Sequence, residues 1–165
     1  MFNVPKYFKL RCIALLFIGG SFCGYSQKCE SDLKVEKDRS YRSLDINDGV
    51  IFNLSLTNKS ISNDTYTIVT EDLKIDCANK HYPSKGSNTP VFIEVLSKND
   101  KPLSGNKISI RSGESIQFKV KISTAKNTVS DRWSCIDVKA ISDNCKTETS
   151  NTILKVYVPN LDSGE

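Results

Sequence analysis

Arg111-Ser112-Gly113-Glu114-Ser115-Ile116-Gln117-Phe118-Lys119-Val120-Lys121-Ile122 is the stretch whose reading decides the fold class. Ile116, Phe118, Val120 and Ile122 alternate with Gln117, Lys119 and Lys121, so an extended chain puts the first set on one face and the second on the other. Ser112-Gly113-Glu114 before them is turn chemistry. A strand with one apolar face must bury that face against another layer, so further strands of the same pattern are expected.

They recur along the chain, separated by turn residues, while helical three-and-four spacing is nearly absent after the first 26 residues. Leu33 and Val35 open a short strand, ended by the polar stretch Lys37 to Ser43. From Val50 to Asn58, Val50, Phe52, Leu54 and Leu56 share a face opposite Asn53, Ser55 and Thr57. Thr65 to Thr70 is rich in β-branched residues and follows the turn Ser62-Asn63-Asp64. Lys74 to Pro90 reads as a long surface crossing holding Cys77 and His81. Strands follow at Val91 to Leu96 and, after the turn Asn99-Asp100-Lys101-Pro102, at Ile108 to Ile110. Trp133 to Ile141 turns Ile136, Val138 and Ala140 inward, and Leu154, Val156 and Val158 do the same before Pro159. Residues 160–165 form a polar tail that frays.

Seven or eight short antiparallel strands in one domain, residues 27–159, make an all-β, immunoglobulin-like β-sandwich with Greek-key connections; a closed barrel is the alternative use of the same strands. Three phrases support the sandwich: Leu56-Thr57-Asn58 at a strand end, Arg111-Ser112-Gly113-Glu114-Ser115 feeding Ile116 to Val120, and the closing pair Ile136-Asp137-Val138-Lys139-Ala140 and Thr152-Ile153-Leu154-Lys155-Val156. In these the chain resembles exported bacterial modules: fibronectin type III-like domains, the cell-adhesion-related domain, and the sandwich associated with alpha-galactosidases. The resemblance implies a non-catalytic spacer or adhesion element and names no ligand.

Compartment is read from the start of the chain. Lys6, Lys9 and Arg11 precede a wholly apolar run from Cys12 to Ile18, which Gly19, Gly20 and Ser21 break. That is the order of a secretory signal peptide, residues 1–26, cut between Ser26 and Gln27. The run is too short to span a bilayer, so no stable membrane span is expected after cleavage. Acylation at Cys23 fits poorly, because bulky Phe22 stands directly before it. Without the three leader cations, 20 basic residues face 19 acidic ones, and no basic stripe remains for nucleic acid. The expected destination is the periplasm or the extracellular medium.

Four cysteines survive cleavage, and an even count in an exported chain points to two disulfides. In the sandwich the strand from Thr65 descends beside the one that rises from Trp133, which brings Cys77 and Cys135 together at the bottom. The strand from Leu33 starts at the top, where the loop after Ile141 carries Cys145, so Cys29 pairs with Cys145. A Cys135–Cys145 bridge would have to close roughly 20 Å of extended chain, against the 7 Å or less that a disulfide allows. Each expected bridge closes a long loop and contributes about 3 to 4 kcal/mol.

Little in the chain calls for catalysis. His81 lacks a placed partner and reads as a surface residue; no cofactor is expected, and the cysteines lack metal-site spacing. Asp45-Ile46-Asn47-Asp48-Gly49 begins like a calcium loop, but no Glu closes it and a plain turn suffices. Trp133 shares strand parity with Cys135 and reads as a cap on one end of the core rather than a sugar platform. Asn53, Asn58 and Asn63 fit glycosylation acceptors that a bacterial host would not use. The expected function is therefore a non-catalytic interaction or adhesion module for a protein or glycan. A carbohydrate-binding or enzyme-accessory domain, or a protease inhibitor presenting His81 to Pro90, are the rivals. The expected contact surface is two polar loops at one end of the sandwich, Lys59 to Asp64 and Ser142 to Asn151, with Lys59, Asn63, Asp64, Asp143, Asn144 and Lys146 as contact residues.

Overall fold

A computed structural model describes residues 29–74, 77, 88–125 and 128–160. The expected signal peptide with its expected Ser26/Gln27 cleavage site, His81 with most of its loop, and residues 161–165 lie outside these. Nine strands are described: β1 (Ser31–Val35), β2 (Tyr41–Ser43), β3 (Val50–Asn58), β4 (Asp64–Asp72), β5 (Val91–Ser97), β6 (Lys107–Ile110), β7 (Ser115–Thr124), β8 (Arg132–Ser142) and β9 (Thr147–Val158). They form a four-stranded sheet, β1-β3-β7-β5, packed on a five-stranded sheet, β2-β9-β8-β4-β6. Only the β8–β9 hairpin stays within one sheet; every other connection crosses between the two. This is the expected sandwich, with its core between the sheets.

The alternation read from sequence becomes burial. Phe52, Leu54, Leu56, Tyr66, Ile68, Phe118, Val120, Ile122, Ile136, Val138, Leu154 and Val156 are essentially solvent-free. Each such aliphatic side chain contributes about 1.5 to 3 kcal/mol relative to exposure. Strand β7 sits between β3 and β5, which is why its pattern is so clear: both edges are paired and one face is solvated.

Two features correct the sequence reading. There are nine described strands, one more than seven or eight, and the added one, β2, pairs with β9 in parallel, Tyr41 opposite Lys155. The polar stretch thought only to end the first strand turns at Lys37 and Asp38, whose φ angles are +57° and +52°, and crosses to the other sheet. Three residues, Tyr-Arg-Ser, are too few to show a period, and backbone pairing alone makes them a strand. The second correction is at Ser142 to Asn151, which is not one loop: the turn is 143–146, Ser142 ends β8 and Thr147 already belongs to β9.

Strand β8 is buried on both faces from Trp133 to Val138. Its inward set is the expected one. On its outer face Trp133 and Cys135 form a second small core with Cys77, Tyr41, Leu73 and Tyr157; the tyrosine rings lie 5.1 and 5.4 Å from the indole. Trp133 thus packs behind the sheet rather than capping the main core. Thr89 anchors the end of the long crossing there, its N–H donating to the carbonyl of Trp133 at 2.9 Å.

Both disulfides are the expected ones. Cys29–Cys145 and Cys77–Cys135 have Cα separations of 6.3 and 6.2 Å.

Candidate functional site

The candidate site is the end of the sandwich where β3 gives way to β4 and β8 turns into β9. Its framework starts from Asn58. Even positions of β3 face inward, so the residue after Leu56 on that face enters the core end, and Asn58 is fully buried. A buried amide must spend its hydrogen bonds internally. Asn58 Nδ2 donates to the carbonyls of Ser62 at 2.8 Å and Ile110 at 3.1 Å, while Oδ1 accepts from the Ser60 N–H and hydroxyl and from the Tyr66 hydroxyl at 2.9 Å. Burial, then the charge of Asp64, raise the Tyr66 phenol above its ordinary value against the opposing Ser60 contact, so it stays a neutral donor.

One side chain therefore fixes the 59–63 loop to β4 and to the end of β6. Ser112 adds a second tie, its hydroxyl donating to the Ser60 carbonyl at 2.7 Å and its N–H to Asn63 Oδ1 at 3.1 Å. At the crest of this loop Ile61 is 80% exposed. With Ser60 pulled inward on one side and Asn63 held on the other, the side chain between them points to solvent.

The 143–146 turn is wired to the same place. Asp64, itself buried, accepts the Ser142 hydroxyl on Oδ2 at 2.6 Å and the Thr65 N–H on Oδ1 at 2.7 Å. The Cys145 N–H donates to the Ser142 hydroxyl at 3.0 Å, and the Cys29–Cys145 bridge ties the turn to the start of β1. Asn144 Nδ2 donates to the Asn63 carbonyl at 3.1 Å, bridging the two loops directly. Asp143 meets Lys107 Nζ at 2.7 Å and the Thr67 hydroxyl at 3.1 Å; the lysine, and then the hydroxyl, hold its carboxyl below the usual range. Between the loops and β6 lies an open cleft of about 320 Å³ lined by Asn63, Thr65, Ser109, Arg111 and Asn144, with the largely buried Asp64 and Ile110 at its floor.

The two expected loops are thus brought together, with changes in detail. Asn63, Asn144, Lys146 and Lys59 are exposed, Lys59 with its Nζ 3.1 Å from the Asp32 carboxylate. Asp64 is buried, as are Ser60 and Ser142, so these segments do contain interior residues. Asp64 is a framework residue and does not offer its carboxylate to a partner. Sequence reasoning missed Asn58, Ile61, Arg111 and Ser112. The inward parity of β3 signals a buried polar group at Asn58, and Ile61 is the one aliphatic residue in an otherwise polar loop.

Other readings are settled by placement. Trp133 is fully buried and cannot offer its ring to a sugar. Asp45 is a turn residue: its carboxylate accepts the N–H groups of Asn47 and Asp48 at 2.9 and 3.1 Å, which lowers its pKa. Among the described residues no group of three or more His, Cys, Asp or Glu side chains is placed to hold a metal ion, and no helix is long and apolar enough to cross a membrane.

Comparison with known proteins adds the fold. The chain aligns with part of a family 123 glycoside hydrolase from Clostridium perfringens at a TM-score of 0.51 and 11% identity, over 73% of this chain but 22% of that one. The chain shares the β-sandwich fold. At that identity nothing of the hydrolase's chemistry transfers, since one fold serves many functions. A FixG-related protein from Vibrio parahaemolyticus aligns over 79% of this chain and 97% of its own, with a TM-score of 0.47 and 12% identity. No protein-family model and no curated protein sequence matches the chain.

Proposed function

We propose that this chain is an exported, non-catalytic interaction module of the fibronectin type III-like or bacterial adhesion kind, which engages a protein partner through the Ile61 loop and the adjoining 143–146 turn. The observation that carries the reading is the exposure of Ile61 on a loop whose backbone is tied down by Asn58 and Ser112. A large aliphatic side chain held rigidly in water gains most when a partner covers it, and a pre-ordered loop loses little entropy on binding. Asn63, Arg111 and Asn144 line the polar cleft between the same loop, the 143–146 turn and β6, and polar groups bordering an apolar anchor are usual at protein interfaces. The two disulfides support an oxidising compartment, periplasmic or extracellular, in line with the signal-peptide order of the leader.

A photo-crosslinking side chain in place of Ile61, compared with one at the exposed Ile153 on the opposite part of β9, tests this in the producing cells. A discrete adduct formed from position 61 and absent from position 153 is the expected result. Equal labelling from both positions would contradict the proposal, and so would hydrolysis of any substrate panel that disappears on His81→Ala.

A further inference from the structure

The cleft beside the Ile61 loop holds an uneven stock of hydrogen-bonding groups. Asn63 Oδ1 is committed to the Ser112 N–H at 3.1 Å, so the two protons of its Nδ2 are left to donate elsewhere. The Thr65 and Ser109 hydroxyls stand 2.9 Å apart; one proton joins them and the other remains available. Arg111 meets the Glu114 carboxylate only at 3.8 Å, too long for a hydrogen bond, with the two side chains 77% and 56% exposed. Acceptors are scarcer. The Asp64 carboxylate already takes the Ser142 hydroxyl and the N–H groups of Thr65 and Asn144. Asn144 Nδ2 is spent on the Asn63 carbonyl, which leaves its Oδ1 as an acceptor.

Three elements thus bring spare donors to one place: the 59–63 loop through Asn63, the β4–β6 pair through its hydroxyls, and the residue after β6 through a guanidinium. A donor-rich cleft suits an acceptor-rich ligand, and a planar guanidinium grips carboxylates and phosphates through two parallel bonds. Asp64 separates these two. Its carboxylate lies at the floor, and a fixed negative charge repels a dianion about twice as strongly as a monoanion at the same distance. The singly charged carboxylate is therefore favoured.

We propose that this cleft is a carboxylate-binding subsite, in which an Asp or Glu side chain of the partner protein displaces Glu114 from Arg111 and accepts from Asn63 Nδ2 and the Thr65–Ser109 hydroxyl pair. The partner's part in this rests on the reading of the Ile61 loop as a contact surface. Asn63 follows Ile61 by two residues, so the partner presents its acidic residue close to the apolar group that covers Ile61.

Acetyl-glutamate N-methylamide, titrated into the exported protein at constant ionic strength and followed by NMR, is the test probe. The Asn63 side-chain amide and Arg111 Nε–H signals should shift and saturate, with a dissociation constant on the order of 10 mM for so small a ligand. The glutamine counterpart, alike in shape but uncharged, should leave them in place, and inorganic phosphate should bind more weakly. Arg111→Gln, at a mostly exposed side chain, should weaken binding about tenfold with thermal unfolding unchanged. Equal shifts with the glutamine probe, a stronger response to phosphate, no saturation below about 100 mM, or wild-type binding by Arg111→Gln would each overturn the proposal. Photo-crosslinking from position 61 is scored separately. An adduct there without a carboxylate response contradicts the subsite alone; a carboxylate response without the adduct supports the subsite and removes the protein-partner reading.

Discussion

Asn58 shows how one polar residue in an apolar setting organises a surface. Its carboxamide makes contacts to Ser60, Ser62, Tyr66 and Ile110, and all of these except the part-buried one to Ser62 are shut away from water. Asn58→Ala removes the partner and leaves the Tyr66 hydroxyl and the two carbonyls to be satisfied elsewhere, at about 3 kcal/mol. Thermal unfolding should fall by roughly 10 °C in a domain of this size, and amide exchange at residues 59–63 should accelerate well beyond that of β7. Asp143 adds a pH dependence. Its folded-state pKa lies below that of an unfolded aspartate because of Lys107, so its contact contributes stability above the unfolded value of about 3.9 and loses it as pH falls through the lower folded value. The stability of Asp143→Asn, followed by thermal unfolding between roughly pH 5 and pH 2, should accordingly decline less steeply than that of the wild type.

At the scale of elements, legibility tracks how many neighbours decide a strand. Val50 to Asn58 and Ile116 to Ile122 were readable because period-two burial is imposed on them by a facing sheet, and β3 has the bounds the alternation implies. β2 was not readable: its partner, β9, is distant in sequence, and its pairing is through backbone atoms that every residue has. The first half of β9 was missed for a related reason. Thr147 to Asn151 is exposed or half-exposed, so it carries no apolar rhythm, and its place as a strand comes from the ladder to β8 past a bulge at Ala140/Ile141. The turn Asp45 to Gly49 was legible in kind but not in the reason for its glycine. Gly49 has φ +76°, and a Cβ there would stand 2.5 Å from the Ile122 carbonyl oxygen. Gly113 has a similar φ and open space around it. Gly49→Ala should therefore cost about 2 kcal/mol or more and Gly113→Ala about 1, a difference that denaturant titration resolves.

For the whole molecule, disulfide connectivity was legible because it follows from strand direction once the sandwich is assumed, and both bridges lie where that direction puts them. The same reasoning brought the two loops to one end. It could not separate Asp64, turned inward to Ser142, from Asn63, left outside, because burial within a loop depends on hydrogen bonds that have no sequence period. The resulting frame is stapled near both ends and presents an apolar tip at one. The measurement that bears most directly on this account is the affinity of the protein captured from position 61 for wild type and for Ile61→Asp, with unfolding of both followed in parallel. Loss of a buried aliphatic anchor should weaken binding by about thirty-fold or more at unchanged folded stability; equal affinity of the two proteins would contradict the assignment of this end as the contact surface.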